Sequence, residues 1–141
     1  MNGQYLVVRI GTQWYGLPLR YVMEVLHLVA LDELPGTSPH ILGLATLREN
    51  IMPVIDMRLL FGNAEAKLTL NTPMIALREA NTTSIMLVGD EVDNVVALEG
   101  DLQSQAESPY VLGAARNGKR LIMALDVPRL VAEHAQMTPG A

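Results

Sequence analysis

The sequence predicts a mostly-β protein made of two small barrels, and three observations carry that prediction. Short apolar runs separated by turn residues recur along all 141 residues. Only three brief stretches carry helical signals. The two halves also rhyme: Pro53 to Leu60 (PVIDMRLL) is echoed by Met123 to Val131 (MALDVPRLV), each an apolar strand, an aspartate and a helical turn bearing Arg and Leu.

The elements follow in order. Tyr5 to Ile10 and Trp14 to Leu17 flank Gly11-Thr12-Gln13 and read as a β-hairpin. After Pro18, the spacing of Leu19, Val22, Met23 and Leu26 predicts a short amphipathic helix running into an extended segment, Leu26 to Leu31. Asp32 to His40 is a proline-punctuated loop. Ile41 to Leu47 and Ile51 to Ile55 are strands facing each other across a charged three-residue turn, Arg48-Glu49-Asn50. Met57 to Phe61 is a helical turn stopped by Gly62. The polar stretch Asn63 to Thr72 reads as the most mobile loop, joining the two halves. Strands follow at Met74 to Arg78, Ser84 to Gly89 and Val92 to Leu98, then an acidic loop, Gly100 to Pro109. Tyr110 to Ala115 and Arg120 to Leu125 flank Asn117-Gly118, a pair suited to a type I′ turn because both residues tolerate φ > 0. Asp126 is placed to cap a last helix, with Pro128 in its first turn and its end near Ala135.

Bulk properties exclude several function classes. A chain of this length buries about two-thirds of its unfolded surface, enough for a real core. Half the residues are apolar and 18% charged, which argues against disorder. With one Trp, one Phe and four Tyr, that core must be built from Val, Leu, Ile and Met. A net charge of −5 without a basic cluster argues against nucleic acid or an anionic membrane as partner. The absence of cysteine excludes disulfides and thiolate metal sites. Arg9 interrupts the first apolar run, no basic segment precedes it, and no run approaches the roughly 18 residues of a membrane span. The expectation is a cytoplasmic protein without direct membrane insertion.

The chemistry-bearing motifs are sparse. Gly113 to Lys119 (GAARNGK) matches the start of a phosphate-binding loop, but Arg120 stands where a hydroxyl should hold magnesium, and LIMALD then reads as strand instead of helix. His27, His40 and His134 fit no metal spacing, and a charged His134 would suit the C-terminus of its helix. Asp56 and Asp126 each follow an apolar strand, but helix capping explains both. Glu24 lies among Val22, Met23, Val25 and Leu26, and Arg48 at the strand-turn tip. On local features they fit a surface ion pair and a rimmed polar anchor of an interface equally.

These residues, taken together, resemble the CheW-like domain family over some 130 positions. Tyr5 to Leu19 followed by Val22-Met23-Glu24-Val25-Leu26 is similar to its opening. Leu34-Pro35-Gly36, Gly43, Leu47-Arg48, Pro53-Val54-Ile55-Asp56 and Gly62 resemble its central signature. Asp90-Glu91-Val92 resembles its VDxV element, and Leu125-Asp126 its closing strand-to-helix step. The resemblance implies two intertwined five-stranded SH3-like barrels joined by a hydrophobic seam, in one domain spanning 1–141. The expected partition is about 19–65 for the first barrel and 5–18 plus 73–135 for the second.

The resemblance further implies a stand-alone, non-enzymatic adaptor without cofactor or metal. Such an adaptor links the cytoplasmic tip of a chemoreceptor to a CheA-type histidine kinase, whose regulatory domain has the same fold, in chemotaxis or a related motility pathway. It implies that Glu24 and Arg48 pair beside a receptor-binding groove lined by Val22, Val25, Leu44 and Leu47, with Glu49 included in the expected receptor-binding set. The family's NLRG reads Thr46-Leu47-Arg48-Glu49 here. Glu49 must therefore avoid the positive φ that glycine serves or hand it to Asn50, and it sets a negative charge beside Arg48. Two rivals stand beside this reading. One is a small-barrel ligand-binding or enzymatic domain using Asp56, Asp90 or Asp126. The other is a paralogue that binds the kinase alone.

Overall fold

The computed structural model describes residues 3–27, 30–33, 38–62, 67–79, 82–98 and 108–134, with the side chains of 82–84 excepted. The expected Leu34-Pro35-Gly36 motif lies outside these residues. So do parts of the loops expected at Asn63 to Thr72 and Gly100 to Pro109, and the end of the last helix at Ala135.

Ten strands form two five-stranded sheets. The strands are β1 (Gly3–Ile10), β2 (Gln13–Pro18), β3 (Val22–Leu26), β4 (Ile41–Leu47), β5 (Asn50–Asp56), β6 (Met74–Glu79), β7 (Thr82–Val88), β8 (Glu91–Leu98), β9 (Val111–Asn117) and β10 (Arg120–Leu125). Two helices follow β5 and β10: α1 (Met57–Leu60) and α2 (Val127–His134). The first barrel runs β3-β6-β7-β5-β4 and the second β8-β1-β2-β10-β9.

This order corrects the expected partition. β6 and β7, assigned from sequence to the second barrel, pair with β3 and β5 in the first. The cause is an internal duplication. Matching positions lie 70 residues apart, as Ser38-Pro39 with Ser108-Pro109 and Asp56 with Asp126. The backbone repeats with them. Asp56 N donates to His40 O at 2.7 Å, and Asp126 N to Tyr110 O at 2.8 Å. Each half gives its opening hairpin to one barrel and its next three strands to the other, which is how the barrels intertwine.

The core divides accordingly. Met52, Val54, Met74, Ala76, Met86 and Val88 fill the first barrel, and Tyr5, Val7, Leu98, Ala115, Ile122 and Ala124 the second. The largest cluster is the seam between them, with Leu6, Val8 and Leu17 meeting Ile55, Ile75, Leu77, Ile85 and Leu87. β1 and β6 thus bury both faces, alternate residues pointing into a barrel and into the seam. Unbroken apolar runs such as Met74 to Leu77 follow from that position.

The helix expected from Leu19 to Leu26 is instead a 3-10 turn, Leu19–Tyr21, followed by β3. Apolar residues at helical spacing also suit a strand that packs on both sides. Val22 joins the seam and Met23 and Leu26 pack toward the first barrel, while β6 supplies the ladder. Tertiary pairing overrides the periodicity.

Among the described residues, three hairpin loops have two residues, because the paired ends are Ile10 with Gln13, Leu47 with Asn50, and Asn117 with Arg120. The loop after β9 is therefore Gly118-Lys119. Only Gly118 has positive φ (61°) there, which is a type II′ pattern in place of the expected I′. The loop after β4 is Arg48-Glu49, one residue shorter than expected.

Candidate functional site

Arg48 and Glu49 both sit in the left-handed region, with φ of 48° and 71°. Glu49 thus neither avoids that geometry nor passes it to Asn50, contrary to both sequence-based expectations. Pairing of Leu47 with Asn50 fixes the loop at two residues, and φ > 0 at both is the type I′ form, one of the two turns that match right-twisted strands joined that tightly. The Arg48 side chain projects from this tip, 60% exposed, and its Nη1 donates to Glu24 Oε1 on β3. β3 and β4 are the two edges of the first sheet, so the contact bridges the edges and closes the barrel.

The duplicate barrel closes at the same end. There Arg120 Nη1 donates to Asp93 Oδ2, and the guanidinium lies over the Trp14 ring at 3.8 Å. In that duplicate, Glu24 corresponds to Asn94 and Arg48-Glu49 to Gly118-Lys119, so there the guanidinium comes from the strand after the loop and not from the loop itself.

The remaining expected site residues divide between surface and interior. Val25 is exposed, Leu47 is half-buried against the first barrel's interior, and Val22 packs on the seam. Leu44 is buried, at 6% exposure. β4 turns one face inward, and Leu44 also carries the backbone bridge to Asp32 (2.8 Å both ways).

A groove does exist beside Val25, where the two barrels meet. It encloses about 380 Å³ and is lined by Val25, His27, Asn71, Pro73, Asp90, Glu91 and Val92. The sequence singles out Asp90-Glu91-Val92 as a motif, and Asp90 as a candidate of the rival enzymatic reading. The contribution of Asn71 and Pro73 comes from packing and has no local signal. Ile51, 49% exposed at the start of β5, adds apolar surface near the tip.

The aspartates offered as catalytic candidates are occupied. Asp56 is 1% exposed, caps α1 through the Arg58 N–H at 3.0 Å, and receives Arg58 Nε and Nη2 at 2.9 Å each. These hydrogen bonds, ahead of the opposing cost of burial, hold the Arg58 guanidinium above its ordinary range. Asp90 accepts Gly11 N at 2.7 Å and lies 3.4 Å from Arg58 Nη1. Asp126 caps α2 through Arg129 N at 3.2 Å. Among the described residues no group of three or more His, Asp or Glu could hold a metal ion. Nor is any described helix long and apolar enough to cross a membrane.

Comparison with known proteins agrees with this geometry. The CheW-like domain model matches residues 4–135. The chain is 24% identical to the chemotaxis protein CheW of Klebsiella aerogenes over 136 residues, covering 92% of this chain and 81% of that protein. It is 22% identical to CheW of Helicobacter pylori, covering 91% and 81%. Similarity to the protein FrzA of Myxococcus xanthus is 27% over 95 residues, covering 67% of this chain and 57% of that one. In structure it resembles the scaffolding protein TtCheW of Thermoanaerobacter tengcongensis, with a TM-score of 0.79, 23% identity and coverage of 89% and 90%.

Proposed function

The chain belongs to the CheW-like domain family, whose members are non-enzymatic coupling adaptors of chemotaxis, and from that premise we propose which partners it joins and where. A chemoreceptor's cytoplasmic helical tip docks along the first barrel, with Arg48 and Glu24 as polar anchors. The regulatory domain of a CheA-type histidine kinase docks on the second barrel, in the cytoplasm. The exposed Arg48 guanidinium on a strained two-residue loop carries this reading, since a polar anchor rimmed by Val25 and Ile51 is the usual make-up of an interface hot spot. The groove of Val25, His27 and Val92 next to it suits an apolar helix face. An enzymatic reading has no support, because Asp56, Asp90 and Asp126 are engaged in capping and ion pairing.

The test is co-purification of the protein with receptor-tip and kinase regulatory-domain fragments from its own genome. Arg48→Glu should abolish retention of the receptor while leaving kinase retention and Tm nearly unchanged. A large drop in Tm would mean that Arg48 is structural and would overturn its placement in the interface.

A further inference from the structure

Among the described residues, the three two-residue hairpin loops differ in one respect. Gly11 and Gly118 take the positive φ of their loops, at 62° and 61°. In Arg48-Glu49 no glycine is present, and two residues bearing a Cβ adopt the left-handed conformation. That conformation is costlier for them than for glycine, and the second position of such a loop strongly favours glycine. Among the described residues nothing offsets the cost at Glu49. Its side chain is exposed and, among the described residues, makes no hydrogen bond or ion pair. Folding alone selects glycine there.

The duplication supplies a second observation. Position 119, the counterpart of Glu49, is Lys119, exposed and flanked by Arg116 and Arg120. The two barrels carry two-residue loops at corresponding places, different in turn geometry and opposite in charge at the second residue. A partner that recognised only the barrel tip could dock on either.

We propose that Glu49 is a specificity-determining residue of the receptor-docking edge: its carboxylate meets a lysine or arginine on the receptor's helical tip and distinguishes the first barrel's tip from the second's. This rests on the receptor-docking reading above. Arg48 and Glu49 together then read an acid-base pair on the partner, and the mismatched charge at Lys119 rejects the same surface. Charges at an interface rim act mainly on association rate and on rejection of wrong sites, so these are the quantities to measure.

The experiment compares the full chain with Glu49→Gly, Glu49→Gln, Glu49→Lys and Arg48→Glu. The immobilised probe is the cytoplasmic-tip fragment of the receptor retained in co-purification, and the salt concentrations are about 50 and about 300 mM. Glu49→Gly should raise Tm by about 2–4 °C, since it relieves the loop. The same substitution, and Glu49→Gln, should slow association about 5- to 10-fold at low salt, the gap closing at high salt. Glu49→Lys should be slower still and be rescued by changing the receptor's basic residue to glutamate. If Glu49→Gly associates as fast as the unaltered chain at both salts while Arg48→Glu fails to bind, this inference falls and the docking reading stands. If the unaltered chain binds no receptor tip, both fall.

Discussion

Glu24 and Arg48 join the two edges of the first sheet, a carboxylate on β3 meeting a guanidinium from the loop after β4. The pair stands at the surface, with the arginine 60% and the glutamate 24% exposed. It closes a barrel and presents a charge to solvent at once, so its two roles have to be separated by measurement.

An exposed pair of this kind contributes little to stability, because solvent screens it and both side chains lose rotamer freedom. A double-mutant cycle with Glu24→Ala and Arg48→Ala should give a coupling of about 0–1 kcal/mol by urea unfolding. The same cycle read by receptor binding should give a clearly larger coupling.

Arg58 behaves oppositely. It is 5% exposed, doubly bonded to Asp56, and also donates to the Lys67 carbonyl at 3.0 Å. Arg58→Ala leaves the Asp56 carboxylate buried without its counter-ion, a loss of about 3–5 kcal/mol. Urea unfolding of the two single variants should therefore rank Arg58→Ala far below Arg48→Ala.

The duplicated caps allow an internal comparison. Asp126 is half-buried and only caps α2, so Asp126→Ala should cost about 1 kcal/mol. Asp56→Ala removes a cap and also strands the Arg58 guanidinium, and its cost should be several-fold higher in the same assay.

Acid should act through the histidines that join the two halves. His134 Nδ1–H donates to Leu130 O at 2.8 Å, leaving its Nε2 to accept from His40 Nε2–H at 3.2 Å. Burial, and then the neighbouring His134, lower the His40 pKa below 6.5. The unfolded chain therefore takes up a proton before the folded one does. Stability is fully present above pH 6.5 and is lost as pH falls through the lowered folded value. Tm should decline from pH 7 to pH 5, and His40→Gln should flatten that decline. An unchanged slope in the variant would show that other groups govern the acid limb.

Much of the strand pattern was legible because each hairpin carries its own punctuation. Ile41 to Leu47 and Ile51 to Ile55 read correctly as strands, since short apolar runs on either side of a charged loop leave local marks. Val22 to Leu26 misled, because a strand packed on both sides shows the same apolar spacing as a helix face. The arginine at the tip was visible as a charge between apolar strands. That Leu44 is buried and that Asn71 and Pro73 line the groove was not, since strand-face assignment and loop placement depend on distant partners.

By itself the sequence determined the strand-rich pattern, the repeated strand-aspartate-helix unit and the family, because turn chemistry and residue spacing are local properties. Tertiary structure alone decided that each half gives its first hairpin to the other half's barrel, since strand exchange rests on non-local pairing and burial of the seam. It also decided that Glu49 occupies a left-handed position. No residue type announces that conformation there. The register of β4 on β5 leaves two residues to turn the chain, and twisted strands close such a loop with φ > 0 at its first residue or at both, here at both.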